Sequence, residues 1–426
     1  MSFGLNCICL VIDRLHVGYP GCYGNSWIET PTFNRLAADG FLFDRALIES
    51  PELAAQYASY ATGTHALARS SRGAVQSPHS GTQPTLAARL AAGGVHTTLI
   101  SDDPAVSEFP SCDAFDEIVR VEQHYADAPA NDVAQTNLGR YFAVVTQWLQ
   151  SAPEPFCLWL HCGALASSWD APLDLRQKYA DEDEPPPLSE TAVPCRQLAA
   201  DYDPDELLSI VRAYAGQVSL LDLCLGATID ELDRLPVAKR TLLSVLSARG
   251  FPLGEHRRIG PIDDDALYAE LVHAAWILRF PDGGGAAART GALVQACDLA
   301  PTLLDWFKLP PSPADCDGQS LLPLVRGEVE SIRDRAIIVG AGGGRAIHTP
   351  AWYLYDPRKH AGTDAAKSAA PVELYAKPDD RWELNDVANR CPAVVELLEQ
   401  ALADGLPSGQ ATPAPPLADI LLSGLE

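Results

Sequence analysis

The run Leu5–Ile12 constrains the fold more than any other stretch. It is apolar on both faces and ends abruptly at Asp13-Arg14. Side chains alternate sides along a strand, so a strand with no polar face must be covered on both sides. Central strands of parallel sheets held between two helix layers meet that need. A loop rich in Gly, Pro and Tyr follows, and then Thr30-Pro31, read as N-cap and first helical residue of a helix that stops at Gly40. The same alternation continues: strand FLFDRAL (41–47), a cap signal at Ser50-Pro51-Glu52, and a helix running to Thr62-Gly63. The helix TLAARLAAGG precedes the strand VHTTLIS, and LGRYFAVVTQWLQ precedes FCLWLHC (156–162). The long amphipathic segment 205–235 precedes TLLSVLSA. A further buried strand is expected at 274–281, and a helix at CDLAPTLLDWF. Such alternation specifies an α/β protein with a large, mostly parallel sheet sandwiched by helices and joined by right-handed crossovers.

Past SLLPLVRGE (320–328) the text changes to short strands (AIIVG, WYLYD) and one late helix, PAVVELLEQALA. The expected division is an α/β domain over 1–325 and a smaller α+β domain over 326–426, whose Pro/Ala-rich tail GQATPAPPLAD lies on the surface. The acidic, proline-rich segment 181–195 reads as an exposed excursion, and its acidic run 181–184 as a solvated loop. Gly340–Gly344 has no helix behind it and reads as a loop, not a phosphate cradle.

Acidic residues outnumber basic ones 56 to 31, a net charge of −25, which argues against a nucleic-acid partner. Eleven scattered cysteines without a CxxC pair read as reduced thiols. Cys7 and Cys9, taken to face opposite sides of the first strand, read as core packing. With neither a signal peptide nor a stretch approaching 20 apolar residues, the expected setting is cytoplasmic and free of membrane.

Several blocks in order carry a specific resemblance: CLVIDRLHVGYPGCYGN, ETPTFNRLAADGFLFDRAL, YAGQVSLLDLCLGATIDELD, LSARGFPLGEH, HAAWILRFPDG, CDLAPTLLDWFKLPP with GQSLLPLVRGE, and VELYAKPDDRWELNDVANR. From residue 5 to about 390 the chain resembles the sulfatase family of the alkaline phosphatase superfamily. The resemblance implies that family's fold, hydrolysis of sulfate or phosphate esters, a divalent cation such as Ca²⁺, and a nucleophile at a helix N-terminus. A hard cation needs several oxygen ligands, and it activates an oxygen nucleophile and neutralises the ester oxyanion.

Carried over residue by residue, the implied machinery is largely missing. The family's paired Asp ligands after the first strand read Asp13-Arg14. Its Cys/Ser-x-Pro-x-Arg nucleophile motif falls on Leu53, Ala55 and Tyr57. The second ligand pair, before Gly250, reads Ala248-Arg249. The acid/base histidine, counted from His161, falls on Ala166. Of the metal ligands only Asp13 is retained. The sequence therefore reads as a degenerate, metal-free pseudo-sulfatase with no catalytic residue of its own, suited to binding or assembly. Arg14, Arg249, His161 and His256 are the candidate anion-binding residues, Asp13 pairing with a guanidinium. Candidate partners are a sulfated or phosphorylated small molecule or glycan, a second copy of the chain, or an active relative. The alternative is a working ester hydrolase with a rearranged metal site and nucleophile, which would draw on a cluster of His65, His161 and His256 and on a relocated Ser50 or Ser59. Ser50 reads instead as an N-cap.

Overall fold

The computed structural model describes residues 4–71, 84–181, 183–262, 266–311, 316–357, 371–405 and 415–424. Its main sheet is built from β1 (Asn6–Asp13), β2 (Phe41–Leu47), β3 (His96–Ser101), β4 (Glu117–Arg120) and β5 (Phe156–Cys162). A two-residue ribbon pairs β6 (Arg196–Gln197) with β8 (Arg258–Ile259); β7 (Thr241–Arg249), β9 (His273–Ala274), β10 (Trp276–Arg279) and β11 (Ala288–Gln295) complete the main sheet. Its order is β11-β2-β10-β7-β1-β5-β3-β4, with β9 also on β2. All neighbours are parallel except β10, which runs antiparallel to both β2 and β7, and β9. The expected continuous strand 274–281 is thus two short antiparallel pieces broken at Ala275.

Burial explains the apolar text. Every residue of β1 and β5 is buried, one face packing with Trp169, Tyr214 and Phe251, the other with Tyr57, Trp159 and Trp276. Cys7 and Cys9 share one face, as residues i and i+2 of a strand must, and do not face opposite sides. None of the eleven cysteines is in a disulfide.

The helix Pro31–Asp39 begins at Pro31 as expected, but Thr30 does not cap it. Its hydroxyl accepts from Gly21 N–H at 2.7 Å, and the orphan N–H groups of Thr32 and Phe33 are taken by the Asp222 carboxylate at 3.0 and 2.9 Å. Ser50 is likewise not an N-cap: the next helix runs Leu53–Thr62 behind Glu52, and Ser50 Oγ meets only the Glu52 N–H, at 3.3 Å.

Asp222 belongs to the helix Pro204–Arg234, which is long and apolar enough by length and composition to cross a membrane, contrary to the sequence expectation. Most of its apolar window is buried in the protein, and it carries Arg212, Gln217 and Asp222 inside, which marks it as the core helix of one helical layer. The segment 181–195 is pinned down: Arg176 binds the carbonyls of Leu188 and Glu190, and Arg212 binds Pro185 O and the Glu184 carboxylate.

A second, antiparallel sheet follows the order β12 (Ala336–Val339), β13 (Arg345–His348), β14 (Trp352–Asp356), β15 (Glu373–Ala376). The Gly340–Gly344 loop is the β12–β13 hairpin turn, closed by Gly340 N–H to Gly344 O at 2.9 Å. One face of this sheet packs on the helix Pro392–Asp404; the other contributes Ile338, Tyr353 and Tyr375 to the main core. Of the Pro/Ala-rich tail, 409–414 lie outside the described residues; Pro415 and Pro416 are exposed, and Leu417 is tucked into the small core.

Candidate functional site

Parallel strands expose their carboxyl ends along one edge of the sheet, where ligand sites of open α/β folds form. Asp13 ends β1, Arg249 ends β7, and a register shift after Ile12 sets the two opposite each other. Arg249 forks onto Asp13, Nε to Oδ1 at 2.8 Å and Nη2 to Oδ2 at 3.0 Å, while Nη1 donates to Pro51 O at 2.9 Å. Asp13 is 1% exposed. Burial alone would push its carboxyl up; the Arg249 charge and hydrogen bonds, with Arg14 and His161 beyond, overcome this and hold it at about 2.

Arg14 follows in the left-handed region, φ 64°, and is buried. Its carbonyl accepts from Tyr214 O–H at 2.7 Å, and that same hydroxyl accepts from His16 N–H at 2.8 Å, so the core helix fixes the turn leaving β1.

Leu53, at the former nucleophile position, is the first residue of its helix and is buried. Ala55 offers only its carbonyl, to Arg69 Nη2 at 2.6 Å. Tyr57 reaches across to β5, its hydroxyl 2.8 Å from His161 Nδ1. Ala248 is buried and its carbonyl accepts from Gln56 Nε2 at 2.9 Å. Ala166 sits in the short helical turn Ala164–Ser167 after β5, with only a methyl group to present.

The structure does not gather the three histidines. His161 is held neutral chiefly by burial. His65 binds Ile337 O at 3.0 Å. His256 lies between Glu270 Oε1 (2.8 Å) and Glu383 O (2.9 Å), stacked on Tyr268 at 3.6 Å; those partners raise its pKa although burial opposes them. Ser59 is no nucleophile in waiting either, because its hydroxyl donates to the buried Glu49 carboxylate at 2.5 Å.

The residues present do not fit a hard divalent cation. Both Asp13 oxygens are taken by the Arg249 fork, and among the described residues no three His, Cys, Asp or Glu side chains converge as a ligand set. Arg249 spends Nε, Nη1 and Nη2 on protein acceptors, and both ring nitrogens of His256 have partners, which leaves little donor capacity for a bound anion.

Sequence reasoning missed Asp102, just past the end of β3. Its Oδ1 accepts from Gly163 N–H at 2.6 Å; among the described residues Oδ2 has no partner at hydrogen-bond distance, although the nearby Gln123 amide lowers the pKa somewhat. Burial dominates and raises Asp102 to about 7. His161 Nε2 also lacks a partner and would face a Cβ placed on Gly163 at 3.6 Å, beside Asp102. The available signal was an acidic pair, Asp102-Asp103, directly after a parallel strand.

The sign of that shift fixes a pH dependence. A carboxyl with a raised folded pKa favours folding fully only below its unfolded value near 4, and its penalty grows until about pH 7. Asp102→Asn is therefore expected to stabilise the protein at pH 8 relative to pH 5, by about 2 kcal/mol from the linkage relation. Urea titrations at both pH values check this; an equal effect at both would refute it.

A phosphonate monoester hydrolase of Agrobacterium radiobacter superposes with a TM-score of 0.72 at 18% identity, over 94% of this chain and 95% of that one. The protein BT4656, solved in complex with its substrate D-glucosamine-2-N,6-O-disulfate, gives 0.73 at 18% identity, over 96% and 100%. These likenesses show the fold. An N-acetylglucosamine-6-O-sulfatase of Bacteroides thetaiotaomicron is 31% identical over 124 residues, 29% of this chain and 22% of the relative. The human (Homo sapiens) steryl-sulfatase is 40% identical over 60 residues, 14% of this chain and 10% of the relative. The chain thus spans less than a quarter of the length of these relatives. The family model described as Sulfatase matches residues 6–309. Over most of its length, then, the chain follows one family's pattern in sequence and fold: it belongs to the sulfatase family.

Proposed function

We propose that this sulfatase-family protein does not hydrolyse esters and acts by binding an anionic ligand of the sulfated or phosphorylated class, or by assembling with a relative. The Asp13–Arg249 fork carries the first half of this reading, the absence of hydrolysis. The one retained carboxylate ligand is neutralised by a fixed cation that lies where the family resemblance places a metal ligand. A cation competing for Asp13 would have to displace two charge-assisted hydrogen bonds in a desolvated site. The ligand class is supported by the similar proteins, one named for a glucosamine sulfate ester and one solved with a disulfated glucosamine.

The experiment is metal analysis of the purified protein together with turnover of 4-nitrophenyl sulfate, phosphate and phenylphosphonate, with and without Ca²⁺, Mg²⁺, Mn²⁺ and Zn²⁺. The expected result is less than stoichiometric metal and no turnover above that of Asp13→Ala. The second reading, a rearranged hydrolase, is favoured by Asp102, a buried acid titrating at about 7 beside the unpartnered His161 Nε2. Turnover that Asp102→Asn removes, in a variant that still unfolds cooperatively and no earlier than the parent, would establish it in place of the first.

A further inference from the structure

The chain carries a net charge of −25, yet one cleft on it is cationic. It opens at a break in the main sheet. Pairing of β2 with β10 ends at Leu42 and its pairing with β9 starts at Ala46, while β11 shifts register between Thr290 and Leu293. Tyr23 plugs the break: its hydroxyl accepts from Trp276 N–H at 2.7 Å and faces the carbonyls of Phe43 and Trp276 at 3.2 and 3.1 Å. Outside Tyr23 lies a cleft of about 320 Å³, walled by β2, β9 and β11 on one side and by the small antiparallel sheet and the segment after β15 on the other. That is the low end of the size range of small-ligand sites, roughly 300–1,000 Å³.

Not every cation in the cleft is available. Arg289 forks onto Asp44, the only acidic residue in the lining, at 2.9 and 3.1 Å from Nε. Lys377 gives its donors to Asp380 O, Arg381 O and the Glu383 carboxylate. Arg45 and Arg381 differ. Among the described residues Arg45 reaches only Pro350 O, at a long 3.3 Å; Arg381 donates Nη1 to Tyr23 O at 2.9 Å and lies over the Trp382 ring at 4.8 Å. Among the described residues no carboxylate forms an ion pair with either.

Two imidazoles report the field. His273 bonds Asp44 O at 2.7 Å and His348 bonds Thr349 O at 2.7 Å, so each nitrogen involved carries its proton toward a carbonyl. Burial first, then the charges of Arg381 and Lys377, hold His273 down at about 3; burial, Lys377 and Arg45 hold His348 low as well. With Arg45, Arg289, Lys377 and Arg381 against Asp44 the lining is net positive; low-dielectric walls focus that potential, and guanidinium forks match tetrahedral oxyanions.

We propose that this cleft binds a sulfate or phosphate group, with Arg45 and Arg381 as its charge-assisted donors and Arg289 closing the rim. The site shares no lining residue with the Asp13–Arg249 pair, so it stands whether or not the chain hydrolyses esters. A ligand seated there touches both sheets at once and would tie them together.

Isothermal titration with sodium sulfate and, separately, sodium phosphate, at ionic strength held constant with chloride, tests this on the full chain. The expected result is one saturable site for at least one anion, weakened about tenfold or more in Arg45→Gln, as the loss of one charge-assisted donor implies. The anion bound more tightly tells whether the group is a sulfate or a phosphate. Arg381→Gln should behave like Arg45→Gln, and Arg35→Gln, which breaks an exposed pair with Asp230 elsewhere, should leave binding unchanged. If Arg381→Gln fails to fold because it loses Tyr23, Arg45→Gln decides alone. No saturable binding of either anion, or undiminished binding in an Arg45→Gln protein whose melting matches the parent, overturns the proposal.

Discussion

Arg249→Ala is expected to destabilise the protein by about 3–5 kcal/mol, the range for leaving one member of a buried ion pair without its partner. Asp13 would keep its carboxylate in a site 1% exposed, with Arg14 and His161 as its remaining favourable charges. Pro51 O, at the approach to the helix Leu53–Thr62, would lose its donor as well. The pH dependence has a definite sign. With Arg249 present the folded carboxyl sits at about 2, below its unfolded value near 4, so the pair stabilises the fold above pH 4 and that contribution is lost as pH falls toward 2. Without Arg249 burial acts unopposed by the fork. The gap between parent and variant should therefore narrow as pH falls from 6 to 3. Urea denaturation across that range measures it. The double variant Asp13→Asn/Arg249→Met should recover most of the loss, because replacing both charges removes the stranded ion. A single variant no less stable than the double would show that the stranded Asp13 charge does not set the loss.

Glu49→Ala should have a comparable effect through different chemistry. Glu49 is fully buried just past the end of β2, and one carboxylate gathers three donors: Ser59 Oγ at 2.5 Å, Ala66 N–H at 2.9 Å and Cys297 N–H at 2.6 Å. Those groups come from three separate helical elements, the helix Leu53–Thr62, the helix Ala66–Ser71 and the turn Ala296–Asp298. Burial pushes the Glu49 carboxyl up, yet the charges of His65 and Arg69 and these hydrogen bonds bring it below the usual value. Each buried donor left unsatisfied costs about 1–3 kcal/mol, so the alanine variant should lose about 3–5 kcal/mol after partial relaxation. Glu49→Gln keeps one accepting oxygen and should lose less. Because the folded pKa is lowered, the contribution of Glu49 is present above about pH 4 and fades below it. Thermal melting of both variants at pH 7 checks the order; equal losses in Ala and Gln would show that the charge, and not the retained oxygen or the packing, sets the cost.

Much of the architecture was legible in the sequence because long apolar strands and amphipathic helices carry their period with them. The β1, β5 and β7 runs and the helix 204–234 read directly. The opposition of Asp13 to a guanidinium was also legible, since a lone carboxylate at a strand end needs a partner. Which arginine would supply it was not: the β1–β7 register decides for Arg249, and Tyr214 and His16 turn the chain at Arg14. Helix caps were misread for one reason. Thr30 and Ser50 have local competitors, and the actual cap of the helix Pro31–Asp39 comes from Asp222, about 190 residues away. The cationic cleft was invisible because Arg45, Arg289 and Arg381 approach only through strand pairing between distant segments.

The position of β2 has a consequence for biosynthesis. Its apolar text leaves the ribosome early, while its sheet neighbours β9, β10 and β11 emerge about 225–250 residues later. At roughly 5–20 residues per second, FLFDRAL waits on the order of 10–50 s with neither edge satisfied. The nascent chain therefore carries an unpaired hydrophobic edge through most of its synthesis, and a ribosome stalled before residue 270 would present it without remedy. Demand for a holding chaperone is in this way written into the strand order of the sheet.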